Sequence, residues 1–350
     1  MFNKLAKFIS PQGNIEPLLS TITEIRSKSE TLALCPSATG INWLGINHST
    51  LANFPTNTLE LPQYYSNSLL SPQLLKQLTN AIARKEFKNI IFSGFPPYFE
   101  QLINQLRPQT KAKLGCIFHG TLSELGNSEN QLAMLPFQLT QSGKLDKIGL
   151  IRKDLVKPLS ELFSINCFEL RNVCIIPKHF ELLSLNKEKI HIGIFGGDTF
   201  NKNLHNQVAG ALLVNNSVIH VGNLSSFRYW NQANRIVEHG TALNRSEFLR
   251  ILASMDLNMY LSFSESFGQV ALESLALGVP SVVSSASNIL NDSLSLDKHL
   301  SVSDVDKPQV IADKIETILA NRTSIVNEGL RFVLTSNSRA QQLISEFLQA

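Results

Sequence analysis

The sequence is poor in charge. Asp, Glu, Lys and Arg make up 17% of its 350 residues, against about 25% in an average soluble domain. Its 31 Lys and Arg against 28 Asp and Glu form no block, which excludes the basic stripe of a nucleic-acid-binding protein. No run of about 18 apolar residues occurs, so no segment reads as a spanning helix. The four cysteines (Cys35, Cys116, Cys167, Cys174) include no C-x-x-C pair. Three of them fall in apolar runs, as buried reduced thiols of a cytosolic protein do. There is no G-x-G-x-x-G, no P-loop and no G-x-S-x-G elbow, so a nicotinamide cofactor and a hydrolase triad lack support. The start, MFNKLAKFI, is too short and polar for a secretory signal. Phe2, Leu5, Phe8 and Ile9 share one helical face there, as in an ordinary first helix or a weak contact with a membrane surface.

What the chain has is alternation. Short apolar runs at 31–36, 89–94, 113–120, 147–151 and 172–177 read as strands, and a second set follows at 189–197, 217–222, 235–240, 257–264 and 280–285. Helical patterns such as PYFEQLINQL, NLHNQVAGALL, RSEFLRILASM and QVALESLAL separate them. This order predicts βαβ units and parallel sheets. The alternation pauses in the polar stretch 178–190. The expected fold is α/β, with two doubly wound Rossmann-like domains facing each other across a cleft. Their expected limits are residues 1–183 and 184–335, with a C-terminal helix, 336–350, packing back on the first domain.

In open α/β sheets ligands bind at the carboxyl ends of the strands. The residues to search are Gly94, His119–Gly120, 196–202, Gly222, Gly240 and 264–268. The last lies in ESFGQVALESLALGVP, residues 265–280, where Glu265 and Glu273 flank a predicted helix start. Free N–H groups from Ser266, Phe267, Gly268 and the next residue form a phosphate site. Carboxylates repel phosphate but accept from hydroxyl pairs. Glu273 therefore suits a ribose diol and Glu265 the hydroxyls of a sugar beyond the phosphates. Two acids near a helix start are also what the macrodipole alone favours. Lys202 precedes a helix, where a cation opposes that dipole unless an anion is bound, and reads either as a ligand of that anion or as a solvated surface residue. His119 ends an apolar strand, as a capping residue or as one that touches the transferred sugar.

The 265–280 segment resembles the E-x7-E segment of the retaining glycosyltransferases of family 4, which have the GT-B architecture. FLRILASMDLNMYLSFSESFG (248–268) is similar to that family's lead-in, GIFGGDTFNKN (193–203) to its diphosphate loop, and IFHG (117–120) to an acceptor-domain strand ending in histidine. The resemblance is strongest over roughly residues 189–320. It implies transfer of a sugar, with retention, from a nucleoside diphosphate sugar to a glycan, lipid-linked or protein hydroxyl, in glycan or cell-envelope polysaccharide synthesis. Gly196, Gly197, Lys202, Ser266, Phe267, Gly268 and Glu273 would bind the donor, and His119 and Glu265 would be catalytic. The family's arginine beside Lys202 is missing, since no arginine occurs between Arg171 and Arg228. Asp304 and Asp306 match D-x-D, but Asp306 reads as the N-cap of a helix, so no cofactor and no obligatory metal are expected. The expected site is wet, so amide substitution of either glutamate should spare folding. The expected place is the cytoplasm, or the inner face of a membrane. Two other readings stand beside this one: a sugar-nucleotide 2-epimerase, and a catalytically silent homologue that binds a nucleotide sugar or a partner protein.

Overall fold

The computed structural model describes residues 15–38, 44–61, 70–123, 134–176, 181–240 and 243–350. The N-terminal amphipathic segment lies outside them. The chain divides into two compact units, Met1–Val173 with Ala340–Ala350, and Cys174–Arg339.

The first unit holds strands β1 (Thr31–Pro36), β2 (Thr58–Leu61), β3 (Asn89–Ser93), β4 (Lys113–Phe118), β5 (Lys147–Leu150) and β6 (Cys167–Glu169). Between and before them run α1 (Glu16–Lys28), α2 (Leu44–Asn53), α3 (Pro72–Ala83), α4 (Pro97–Leu106), α5 (Leu135–Gln141) and α6 (Val156–Phe163). The sheet is parallel, in the order β2-β1-β3-β4-β5-β6. Its central strands are buried at nearly every position, because helices cover both faces and neither face needs polar residues. Two helices begin on proline, α4 with Pro97 and α3 with Pro72 behind a Ser71 cap, where the missing N–H has no partner to lose.

The second unit holds β7 (Ile190–Ile194), β8 (Ser217–Val221), β9 (Ile236–Glu238), β10 (Leu257–Tyr260), β11 (Ser281–Ser284) and β12 (Ser301–Val302). Its helices are α7 (Leu204–Leu213), α8 (Arg245–Ala253), α9 (Gln269–Ala276), α10 (Leu294–Leu300), α11 (Pro308–Ala320) and α12 (Arg322–Gln349), the last part of α12 belonging to the first unit. The sheet is again parallel, in the order β12-β11-β10-β7-β8-β9. Chain direction across the sheet reverses between β7 and β10, which is the topological switch point where such folds bind ligands. Helices α7 and α11 pack closely because Gly210 has no side chain. A Cβ at that position would lie 2.6 Å from Ile311 Cγ2.

Three expectations are corrected. Residues 172–176 form no strand and pair with none. Side-chain amides take the place of a neighbour: Val173 N donates to Asn53 Oδ1 (2.8 Å), Cys174 N to Asn337 Oδ1 (2.8 Å), and Asn337 Nδ2 to Cys174 O (2.9 Å). The strand is instead Cys167–Glu169. The run expected to reach Ser264 ends at Tyr260, because Gln207 Oε1 accepts from Leu261 N (3.0 Å) and Asn203 Nδ2 donates to Leu261 O (3.0 Å). Asp306 does not cap α11. The N-cap is Lys307, held extended ahead of Pro308, and Asp304 pairs with its ammonium at 2.8 Å.

One buried cation fastens the end of α12. Lys147, 1% exposed, donates to Phe347 O (2.6 Å), Leu348 O (3.2 Å) and Asn89 Oδ1 (3.1 Å), using carbonyls that a helix end leaves unpaired. Burial, with the nearby Lys113 charge, lowers its pKa from 10.5 to about 8. Between those values the unfolded chain binds the proton that the folded chain has released, so this group's contribution to stability rises with pH. Denaturant titrations should therefore show the wild type gaining on Lys147→Met from about pH 8 to about pH 10. A constant difference would refute the linkage.

Candidate functional site

The sequence places a lysine after β7 and a glutamate after β10, and the fold brings them together at the switch point. Lys202 closes a 3-10 turn, Phe200–Lys202, ahead of α7. Its backbone is held on both sides. Gln207 Nε2 donates to Lys202 O at 2.8 Å, and the next residue, Asn203, adopts φ 53° and donates to Leu261 O and Val305 O. Gly196 leaves room for the lysine stem, since a Cβ there would sit 3.3 Å from Lys202 Cβ, and around Gly197 the space is open. Lys202 Nζ then donates to Glu265 Oε2 at 2.6 Å and to the Tyr260 hydroxyl at 3.0 Å. Burial, followed by the Glu265 charge, raises the Tyr260 pKa well above 10, so its oxygen stays a neutral acceptor.

Glu265 is only 8% exposed. Its second oxygen accepts from Ser266 N at 3.1 Å. Ser266 is half-buried, while the Phe267 side chain turns into the core, leaving only its backbone for a ligand. Gly268 precedes α9 with φ 91°, and a Cβ would meet Ser287 Oγ at 3.0 Å. Both facts exclude a larger residue. The α9 N-terminus carries no side-chain cap, so its first N–H groups remain available to an anion.

Glu273, five residues past Gly268, lies about 7–8 Å along the axis. It is 2% exposed, and its Oε1 accepts from Arg245 Nη2 at 2.6 Å and Gln269 Nε2 at 3.3 Å. The expectation of two wet acids is thus corrected: both are buried and ion-paired. Arg245 and Tyr260 escaped the sequence reading. Arg245 stands 28 residues before Glu273 and supplies a cation in the unit whose β7 loop has no arginine. Its signal was akin to that of Lys202, a basic residue at a helix start, here in the first turn behind an Asn244–Glu247 capping box.

His119 lies in the first unit, at the carboxyl end of β4. Its Nε2 is 2.9 Å from Ser93 Oγ, which is 2.6 Å from Thr50 Oγ1, which donates to Ile46 O at 2.7 Å. The carbonyl can only accept. Thr50 therefore spends its proton there, Ser93 donates to Thr50, and His119 donates from Nε2. Burial lowers the His119 pKa to about 4, so the ring is neutral at pH 7 and offers Nδ1 as an acceptor. Among the described residues, no group of three or more His, Cys, Asp or Glu is arranged to hold a metal ion, and no helix is long and apolar enough to cross a membrane.

Residues 233–339 match the family model of glycosyl transferases group 1. The sequence matches none of the curated proteins compared with it. Three solved structures have a similar fold. The trehalose-6-phosphate synthase OtsA is 11% identical, with a TM-score of 0.66 over 92% of this chain and 98% of its own. HepE of Anabaena, in complex with UDP and glucose, is 13% identical, with a TM-score of 0.65 over 92% and 100%. The UDP-forming α,α-trehalose-phosphate synthase of Burkholderia xenovorans, in complex with glucose-6-phosphate, is 10% identical, with a TM-score of 0.65 over 91% and 100%. At these identities the likeness shows the fold, two Rossmann-like domains of the GT-B type.

Proposed function

We propose that the chain is a glycosyltransferase that moves a sugar from a nucleoside diphosphate sugar to a hydroxyl acceptor, with retention of configuration, in glycan or cell-envelope polysaccharide synthesis. The observation that carries this reading is the Lys202–Glu265 pair at the switch point, 2.6 Å apart, beside the uncapped start of α9. A cation and free N–H groups suit a diphosphate, and a carboxylate within reach suits the sugar attached to it. The family match over residues 233–339 supports the same class.

In this reading the donor exchanges partners at the pair. Its diphosphate takes Lys202 and the N–H groups of α9, and Glu265, released, accepts from hydroxyls of the sugar. As the glycosidic bond lengthens, negative charge grows on the leaving phosphate, where these donors stabilise it most. A phosphate oxygen then takes the acceptor proton on the same face, so no strong enzyme base is needed. Glu265 orients the sugar and does not attack it. Glu273, fixed by Arg245, accepts from the ribose. Neutral His119, in the first unit, has Nδ1 available to accept from a hydroxyl. With Lys202 and a helix start supplying positive charge, no obligatory metal is proposed.

A thermal-shift panel of UDP, GDP, CDP and ADP with their hexose conjugates, run with and without EDTA, tests the reading. A ligand at 100 times its Kd stabilises the fold by about 2.7 kcal/mol. At least one nucleotide should raise Tm, and EDTA should not reverse it. Silence across the panel would overturn the function, and a shift that needs Mg²⁺ would overturn the metal-free mechanism.

A further inference from the structure

Three histidines of the second unit form a continuous hydrogen-bonded line that the mechanism above does not use. His191 Nε2 lies 2.9 Å from Asn186 O, His191 Nδ1 lies 3.0 Å from His220 Nε2, and His220 Nδ1 lies 2.8 Å from His239 Nε2. The line has a direction. His191 on β7 is paired with Val218, and His220 stands two residues further along β8; His220 is paired with Val237, and His239 again stands two further. On one face of the sheet the imidazoles thus climb diagonally, from a carbonyl before β7 to the carboxyl edge just past β9.

The carbonyl sets every proton in this line. Asn186 O accepts, so His191 carries its proton on Nε2 and leaves Nδ1 bare. His220 must then donate from Nε2, and His239 likewise. His191 and His220 are 6% and 2% exposed. Burial, with the two neighbouring imidazoles, drives the His220 pKa down to about 3, and burial lowers that of His239, so these two rings stay neutral at pH 7. The result is delivered at His239, which is half-buried and whose Nδ1 has no hydrogen-bond partner among the described residues. Beside it Gly240 has φ 84° and no described atom within 4 Å of its missing Cβ. The His239 ring is 6.2 Å from that of Phe195, the residue before Gly196 and Gly197 in the proposed diphosphate loop.

We infer that His239 reads the donor's base: the histidine line presets its Nδ1 as a hydrogen-bond acceptor, which selects a nucleobase with a ring N–H, as in uracil or guanine, over one with a ring lone pair at that edge, as in cytosine. The inference rests on the proposed function. His239 is the specificity residue, and His220 and His191 are positioning residues that act through it.

UDP and CDP make the test, since they differ at the ring N–H and its neighbouring group. Calorimetry should show UDP binding about 10-fold or more tightly than CDP, the size of effect expected when a polar group is left facing a like group. In His239→Phe the ratio should fall towards one while both still bind. In His191→Phe, remote from the ligand, the ratio should also fall, because the carbonyl no longer orders the line. NMR of nitrogen-labelled histidine gives a readout that needs no variant: His239 should carry its proton on Nε2 in the wild type and populate both tautomers in His191→Phe. A wild-type proton on Nδ1, or a ratio unchanged in His239→Phe, overturns the inference alone. Failure of every nucleoside diphosphate to bind the wild type overturns the proposed function and the base-reading role together.

Discussion

Replacing Lys202 with alanine should lower kcat/KM by about 10²–10³-fold, the usual effect of deleting one donor to a developing oxyanion. It should also weaken nucleoside diphosphate binding by about 1.5–3 kcal/mol, the worth of a hydrogen bond to a charged group. Binding of an uncharged acceptor should not change. The pairing in the structure adds a complication. Lys202 also neutralises Glu265, which is 8% exposed, so the variant leaves a buried carboxylate without its cation and should melt earlier than the wild type. A double-mutant cycle separates the two effects. Lys202→Met with Glu265→Gln removes both charges and should recover most of the lost stability, whereas diphosphate affinity should stay low. If affinity returns together with stability, Lys202 is a structural cation and the diphosphate contact is disproved.

The sequence carried the sheets well and the side-chain pairings poorly, for a common reason. Strands such as β1 and helices such as α4 are set by local patterns, an unbroken apolar run and a proline-led amphipathic repeat, and both occupy the expected residues. Errors arise where a distant side chain finishes what a strand neighbour would do. Asn53 and Asn337 hold the 172–176 segment from 120 and 163 positions away, and Asn203 and Gln207 end β10 early. Four-residue β2 and two-residue β12 are too short to show a period. In the site, Glu265, Glu273 and Lys202 stood out because each sits near a helix start. That Lys202 bonds Glu265 and Arg245 bonds Glu273 is a tertiary fact, fixed by strand order β10-β7 and by the packing of α8 beside α9. The histidine line is likewise invisible in sequence, where its members are 29 and 19 residues apart, and plain once the register of β7, β8 and β9 is known.

The two glutamates should separate under amide substitution, in a way that only the exchange of partners at Lys202 explains. Glu273 is the more deeply buried, at 2%, and its partner Arg245 is 31% exposed in its side chain. Breaking a fully buried pair costs about 3–5 kcal/mol, and an exposed one under about 1. Glu273→Gln should therefore destabilise the fold by about 2 kcal/mol, and it should weaken free diphosphate and intact nucleotide sugar alike, because the ribose is common to both. Glu265→Gln should behave differently. It frees Lys202 from its carboxylate at 2.6 Å, so the free nucleoside diphosphate should bind as well as in the wild type or more tightly. The sugar loses its acceptor, and contacts that tighten in the transition state act on turnover, so kcat should fall by about 10²–10³-fold. Calorimetric Kd values for diphosphate and nucleotide sugar, with kcat and Tm for each variant, make the comparison. Equal loss of diphosphate affinity in both variants would show that Glu265 serves the nucleotide rather than the sugar. A Glu265→Gln protein with normal kcat would leave the pair as a structural ion pair beneath a site that works by other groups.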